Sequence, residues 1–469
     1  MKKSLLMFVA LLGGVATTVW AAPKEVPVSD RTSLTMTIYN QGRALVNDTR
    51  RVDLTQDKNT VSFLDISNQV MPETVLIKAA GVSMLEQNFN FDLLNHYNMM
   101  KKAVGTDVDV EWINPATGVA TTQKARLLAF DGGDPVLKIG NKIETRYPGR
   151  VVFNSVPASL HAKPTLIFDL SSTKAGTENV ELSYLTTGIS WKADYVAELN
   201  DAENGLSLNG LVTLTNNTQV NYENAALQLV AGDVNMSAPA PVLMRAMAKD
   251  AIYDEVGNAI GNMTSEAISG YYLYTLNRPT DIMSNQTKQV SLLSGDQVKA
   301  ERHYLYTSPL SVNSAYSFKD EKPSIQLKIQ NKETNGLGMP LPKGTVRVYK
   351  KDSQNRLIFI GEDGINHTAK NQEITLTLGE DFDLTVKGKR VNYTTLSKGL
   401  YEASFEVSFM NAKTREVTIR FEQNLPNGWK IMSESLKSQK ENANTIFWNV
   451  SVPAEGETIL TYKVQVKTE

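Results

Sequence analysis

From Ser33 onward, apolar and polar residues alternate in short runs separated by turn residues. Leu34, Met36 and Ile38 alternate with threonines before Asn40-Gln41-Gly42, and Val61, Phe63 and Val75-Leu76-Ile77 continue the pattern around a break at Met71-Pro72-Glu73. A period of two puts every second side chain on one face, so each run reads as a strand with one buried face. Phe91 to Val104 departs from this. Leu93-Leu94, Tyr97 and Lys101-Lys102 fit a short amphipathic helix ended by Gly105. Alternation returns at Val108, Val110 and Trp112, turns at Asn114 to Gly118, and resumes at Leu127-Leu128, Val136 to Ile139 and Val151 to Phe153. This predicts a small meander or barrel of about five strands, left at Pro157 and Pro164.

Longer strands follow: Val180 to Leu185, Trp191 to Ala197, Leu206 to Leu214 and Ala225 to Val230, spaced by Asn/Gly turns. They predict a β-sandwich. Residues 236–270, with Ala238-Pro239-Ala240-Pro241, Met244 and Met247, carry few strand formers and read as a long mobile insertion, or a Met-bearing docking surface. Strands resume at Tyr271 to Leu276, Lys288 to Leu293 and His303 to Tyr306, and four more between Ser404 and Val466 read as a compact immunoglobulin-like sandwich. Three alternating strands end in Asn216, Asn331 and Asn411. Asn tolerates the left-handed conformation, so either a repeated sandwich unit or ordinary strand ends account for them. The fold class is therefore mainly β, in several domains. A leader over 1–21 precedes an N-terminal β domain over 30–165 with one short helix. A β-sandwich over 175–395 contains the insertion, and the immunoglobulin-like sandwich spans 396–469.

Composition sets the address. Lys2 and Lys3, the apolar run Ser4 to Val19 and the small residues of Val19-Trp20-Ala21 read as a secretory signal peptide cleaved after Ala21, with Ala22 the alternative. No cysteine follows, and the whole chain has none, which removes disulfides, thiolate metal sites and cysteine nucleophiles. That suits a bacterial periplasm better than a disulfide-rich extracellular space, and the expected address is periplasmic or secreted. No later run approaches ~18 apolar residues, so no integral membrane protein is expected. A formal net charge of −2, without blocks of like charge, gives no sign of nucleic-acid binding.

One stretch is distinctive. Gly336-Leu337-Gly338-Met339-Pro340-Leu341-Pro342-Lys343-Gly344-Thr345-Val346 is followed by Phe359-Ile360-Gly361-Glu362-Asp363, by Ile365-Asn366-His367-Thr368 and by Leu378-Gly379-Glu380-Asp381-Phe382-Asp383. Upstream stand Gly188-Ile189-Ser190-Trp191 with Tyr195, Leu229 to Val234, and Tyr272 to Leu276. Over roughly residues 180–468 these segments resemble a bacterial domain family of unknown function, found at the C-terminus of mucoidy-inhibitor (MuiA-like) proteins. The heptad-bearing coiled coil that separates the domains of those proteins is absent from this chain. The resemblance brings no catalytic residues with it.

Candidate chemistry is sparse. The four histidines, His96, His161, His303 and His367, are scattered without metal-site spacing. Glu362-Asp363 with Asn366-His367 has the groups for metal binding or acid–base work; the plainer reading is a β-turn flanked by Gly361 and Gly364. Glu380, Asp381 and Asp383 could serve glycoside hydrolysis or calcium, but neighbours on a strand diverge and the closing calcium ligand is missing. Gly336-Leu337-Gly338 lacks the Lys-Ser/Thr of a phosphate loop, and no serine elbow occurs. Trp112, Trp191, Trp429 and Trp448 read as core, with one sugar-stacking platform the alternative; Tyr272 and Tyr274 should share an exposed face. No catalytic, cofactor or metal residue is assigned. The reading is an exported cell-envelope protein that binds a protein or glycan partner without catalysis. The alternatives are a hydrolase whose carboxylates converge in space, which needs raised pKa values, and a module that self-assembles through sheet edges.

Overall fold

Strand pairing follows the alternation. The computed structural model describes residues 23–90, 94–157, 160, 163–232, 234–235, 263–312, 315–426 and 428–467. It is mainly β, in several sheets, with one α-helix among the described residues. The signal-peptide reading, His161 and residues 236–262 of the expected insertion lie outside the described residues. The chain divides into two compact units. The first contains the residues up to Thr35, Leu45–Thr187 and Thr218–Val220; the second contains Met36–Ala44, Gly188–Asn217 and Asn221–Glu469.

In the first unit, Lys24–Val26, Asp57–Phe63, Thr165–Ser172 and Val82–Asn90 form a four-stranded sheet in that order. The Phe63 and Phe168 rings meet edge to face in its core. A second sheet is a meander: Asp107–Ile113, Ala120–Ala129, Val136–Ile139 and Lys142–Glu144 pair in succession, and Arg150–Val152 joins the free side of Asp107–Ile113. Its two end strands do not pair with each other, so the sheet is open and the barrel alternative is not formed. The helix is shorter than expected, His96–Lys102. Asn95 caps it, its side chain accepting from the Asn98 N–H. Met99 and Met100 are its buried residues, while Leu94 and Tyr97 are exposed, so the apolar face is not the one the pattern indicated.

In the second unit, Lys288 to Leu293 and His303 to Tyr306 prove to be parts of one strand, Gln286–Ser308. Its first half pairs with Gly205–Asn216; its second half pairs with Ser324–Gln330 on one side and Val417–Asn424 on the other. Register shifts opposite Leu206/Leu208 and Gly210/Leu211, and a left-handed Gln297 at φ 55°, let so long a strand bend between two sets of partners. Met263–Ile268 is a strand hydrogen-bonded to Tyr271–Leu276, although the sequence pattern extends the insertion to 270.

The C-terminal sandwich starts earlier than residue 396. Leu384–Ser397 and Ser317–Glu321 complete the sheet of Leu400–Asn411, Gly456–Lys467 and Trp429–Glu434. The core shows why: Tyr306, Leu310, Phe318 and Leu384 pack with Phe405, Phe421, Trp448 and Tyr462 in one buried cluster. Tyr462 Oη donates to Gln423 Oε1 at 2.8 Å, and Gln423 Nε2 donates to the Leu310 carbonyl at 2.7 Å, so these polar atoms of the core are paired.

Candidate functional site

The distinctive stretch 336–344 is a loop held from several sides. Asn331, fully buried, donates from Nδ2 to the carbonyls of Met339 (2.7 Å) and Ala369 (3.0 Å), and its Oδ1 accepts from the Gly338 N–H (2.9 Å). Tyr274 Oη donates to the Pro340 carbonyl at 3.1 Å and Tyr195 Oη to the Pro342 carbonyl at 2.7 Å. Burial raises both phenol pKa values, so both hydroxyls keep their protons for these bonds. Leu341 bridges to Thr368. A Cβ on Gly338 would lie 2.4 Å from the Glu333 backbone nitrogen, so only glycine fits there. Tyr274 is therefore buried, contrary to the exposed face expected for it.

The loop delivers Gly344 into a parallel pairing with Ala193. A Cβ on Gly344 would stand 2.4 Å from the Ala193 carbonyl oxygen, so this close approach also requires glycine. Beside the pairing lies a pocket of about 500 Å³, lined by Asn40, Trp191, Lys192, Lys343 and His367 among others. Three of the segments that carry the family resemblance meet here: Gly188 to Trp191, Leu341 to Thr345 and Ile365 to Thr368. The turn Asn40-Gln41-Gly42, which the sequence offers only as a hairpin connection, closes the fourth side. No local signal in the sequence places it there.

His367 Nδ1 accepts the Lys343 N–H at 3.2 Å, and its Nε2 lies 3.4 Å from the amide of Asn40. Trp191 is 4% exposed, and its Nε1–H has no hydrogen-bond partner among the described residues. The Oδ1 of Asn40 is likewise buried and without a partner among the described residues. Buried polar atoms are nearly always paired, so these two stand out, together with Arg302 Nε, His303 Nε2 and Tyr304 Oη elsewhere in the unit.

The acids expected beside His367 are elsewhere engaged. Glu362 and Asp363 sit inside the strand Leu357–Ile365, not in a turn. Glu362 pairs with Arg347 Nε at 3.1 Å, and Arg347 also reaches Asp194 at 3.0 Å. Asp363 accepts the N–H of Thr377 at 2.7 Å and of Gly364 at 2.8 Å. Glu362, Asp363 and His367 therefore do not converge.

Asp381, 3% exposed, is the hub of a second polar cluster. It accepts from Arg302 at 3.2 Å and Lys413 at 2.9 Å; Lys413 also reaches Asp383 at 3.2 Å. Arg302 further pairs with Glu203, and Lys350 reaches Glu203 at 2.6 Å. Burial alone would raise the Glu203 carboxyl, but hydrogen bonds and charge from Lys350 and Arg302 hold it below the usual range. Glu380 is exposed, so the trio forms no facing pair of acids. A cleft of about 550 Å³ beside this cluster is lined by Arg302, His303, Tyr304, Lys328, Arg415 and Arg420. His303 Nε2 lies 3.4 Å from Glu301 without hydrogen-bond geometry.

Of the other aromatics, Trp448 is fully buried, Trp429 donates to the Ala443 carbonyl at 2.7 Å, and Trp112 is half-buried. His96 stands exposed at the start of the helix against Phe130. Among the described residues no cluster of three or more His, Asp or Glu is arranged to hold a metal, and no helix is long and apolar enough to cross a membrane.

The chain belongs to the DUF4139 family, a domain of unknown function, whose model matches residues 180–468. No curated protein matches the chain. The matched residues include most of the pocket wall and every residue of the loop 336–344.

Proposed function

We propose that this is an exported cell-envelope protein, of the periplasm or the medium, that binds a ligand or partner without converting it. The observation that carries this reading is the Trp191 pocket: a cavity of small-molecule size with unpartnered polar atoms and no carboxylate among its lining residues. A hydrolase built from dispersed acids needs a carboxyl held protonated. Among the described residues, each carboxylate with a displaced pKa, including Asp48, Asp169, Asp194, Glu203 and Glu402, is displaced downward. The leader-like residues 1–21 support export, and the resemblance to the C-terminal part of mucoidy-inhibitor proteins supports an envelope role with a protein or glycan partner.

Fractionation of bacteria expressing the full chain tests it. The account expects a mature protein starting at Ala22 in the periplasm or medium, returning envelope glycans and peptides chemically unchanged. Retention of Met1 in the cytoplasm, or cleavage of a glycan, contradicts it.

Self-association is a second reading with its own support. Leu357–Ile365 ends the path of its sheet, and Leu357, Ile358 and Phe359 there are about half exposed. Sedimentation of the wild type and of Phe359→Lys tests it: a dimer lost in the variant supports it, and a monomer in both removes it.

A further inference from the structure

We infer that the cleft beside Arg302 binds a phosphate group. The cleft, of about 550 Å³, lies where two strands part. Gln286–Ser308 and Val417–Asn424 pair in parallel only from Tyr304 and Ile419 onward. Before that point Arg302-His303 and Arg415 to Thr418 line the cavity. Four of its lining residues are cations, Arg302, Lys328, Arg415 and Arg420, and the one acid in the wall is Glu416. The acids that pair with these cations stand outside the wall: Glu203 and Asp381 for Arg302, Glu373 for Lys328, and Glu422 and Glu441 for Arg420.

Arg415 carries the inference. It is exposed, and its guanidinium makes no hydrogen bond or ion pair among the described residues. Its backbone is nonetheless fixed, because the buried Asn411 donates to the Arg415 carbonyl at 2.8 Å. An uncommitted guanidinium on a pinned backbone is a donor fork held ready at the cleft. Arg420 is oriented too: its Nε and Nη2 donate to Glu422 and Glu441, both at 2.7 Å, and its guanidinium lies 3.6 Å from the centre of the Phe447 ring, which leaves Nη1 uncommitted. Lys328 meets Glu373 at 3.3 Å in a solvent-exposed pair, which costs little to exchange for a ligand. These donors fit a phosphate better than a carboxylate. A carboxylate is satisfied by one guanidinium fork. A phosphate monoester carries nearly two charges on three oxygens, enough to engage Arg415, Arg420 and Lys328 together. Thr418, and Asn449 opposite Arg420 in register, add neutral donors.

The cleft shares no lining residue with the Trp191 pocket, so either site can fail without the other. The same phosphate chemistry could come from a small phosphorylated solute or from a lipid headgroup. The test is calorimetric titration of the mature protein with glycerol 3-phosphate, against glycerol and against acetate. Co-sedimentation with phosphatidylcholine vesicles, with and without phosphatidic acid, is the second arm. The inference predicts saturable binding of a phosphate probe, none of glycerol or of plain phosphatidylcholine, and acetate weaker by about tenfold. Saturation by the soluble ester names a solute as the source; saturation by phosphatidic acid vesicles alone names a lipid headgroup. Arg415→Gln, at an exposed position, should weaken the binding by about tenfold, the loss of a charge-assisted contact, and Lys328→Gln by less. Lys319→Gln, exposed and outside the cleft, should leave it unchanged. No saturable binding of either phosphate probe, acetate bound as tightly, or Arg415→Gln behaving like Lys319→Gln would overturn it.

Discussion

Asn331 holds Met339 from both sides: its Nδ2 donates to the Met339 carbonyl at 2.7 Å, and its Oδ1 accepts the Met339 N–H at 3.3 Å. Asn216 and Asn411 act in a related way. Asn216 Nδ2 donates to the carbonyls of Ile282 and Met283, and Asn411 Nδ2 to those of Arg415 and Pro453. Each buried amide ties down a chain segment beyond its own strand. Asn331→Ala should cost about 3 kcal/mol in urea unfolding, because several buried backbone groups lose their partner at once. A loss below about 1 kcal/mol would mean that the loop stands without its clamp.

Neighbouring acids should behave oppositely. Asp381 is the buried hub between Arg302 and Lys413, so Asp381→Ala strands charge and should destabilise by about 3 kcal/mol. Glu380→Ala, at an exposed position, should stay within about 0.5 kcal/mol. Comparable losses in the two variants would show that the cluster contributes little.

Acid sensitivity should trace to Asp48. Burial alone would raise its carboxyl, but Arg31 at 2.9 Å and Arg50 at 2.7 Å outweigh this and hold it below the usual value. A carboxyl with a depressed folded pKa contributes stability above its unfolded value, near pH 4, and loses it as pH falls through the folded value. Stability measured from pH 7 downward should therefore fall below about pH 4 in the wild type. Asp48→Asn should begin about 3 kcal/mol lower, with two charged guanidiniums uncompensated, and show a flatter fall. Parallel pH profiles would contradict this.

Tyr195→Phe should lower stability by about 1–2 kcal/mol, because the Pro342 carbonyl loses a side-chain donor in a buried setting. The Trp191 indole N–H signal should shift with it, since Pro342 leads directly into the Lys343–Gly344 wall of the pocket. An unmoved signal would separate the loop clamp from the site.

The strands were legible because a one-sided sheet imposes a period of two, which Ser404 to Phe409 displays without interruption. The bend of Gln286–Ser308 was not, since a bulged strand loses the alternation that marks it. The amide clamps were half legible. Asn216, Asn331 and Asn411 stood out as strand ends, but none adopts the left-handed conformation that seemed to explain them. Their partners lie up to 67 residues away, beyond any local pattern. The same limit applied to the pocket. His367 and Trp191 attracted attention singly, His367 for the wrong neighbours. Asn40 lies 327 residues from His367 in sequence, and only the folded chain brings them together.

The most direct test of the binding account is photo-crosslinking in living cells from Gln41, on the rim of the Trp191 pocket, against the same probe at Glu25, exposed in the first unit. The account predicts a specific adduct from Gln41 in the envelope fraction. That adduct should be lost in Trp191→Phe and absent from Glu25. Equal labelling from both positions, or a Gln41 adduct indifferent to Trp191→Phe, would contradict it.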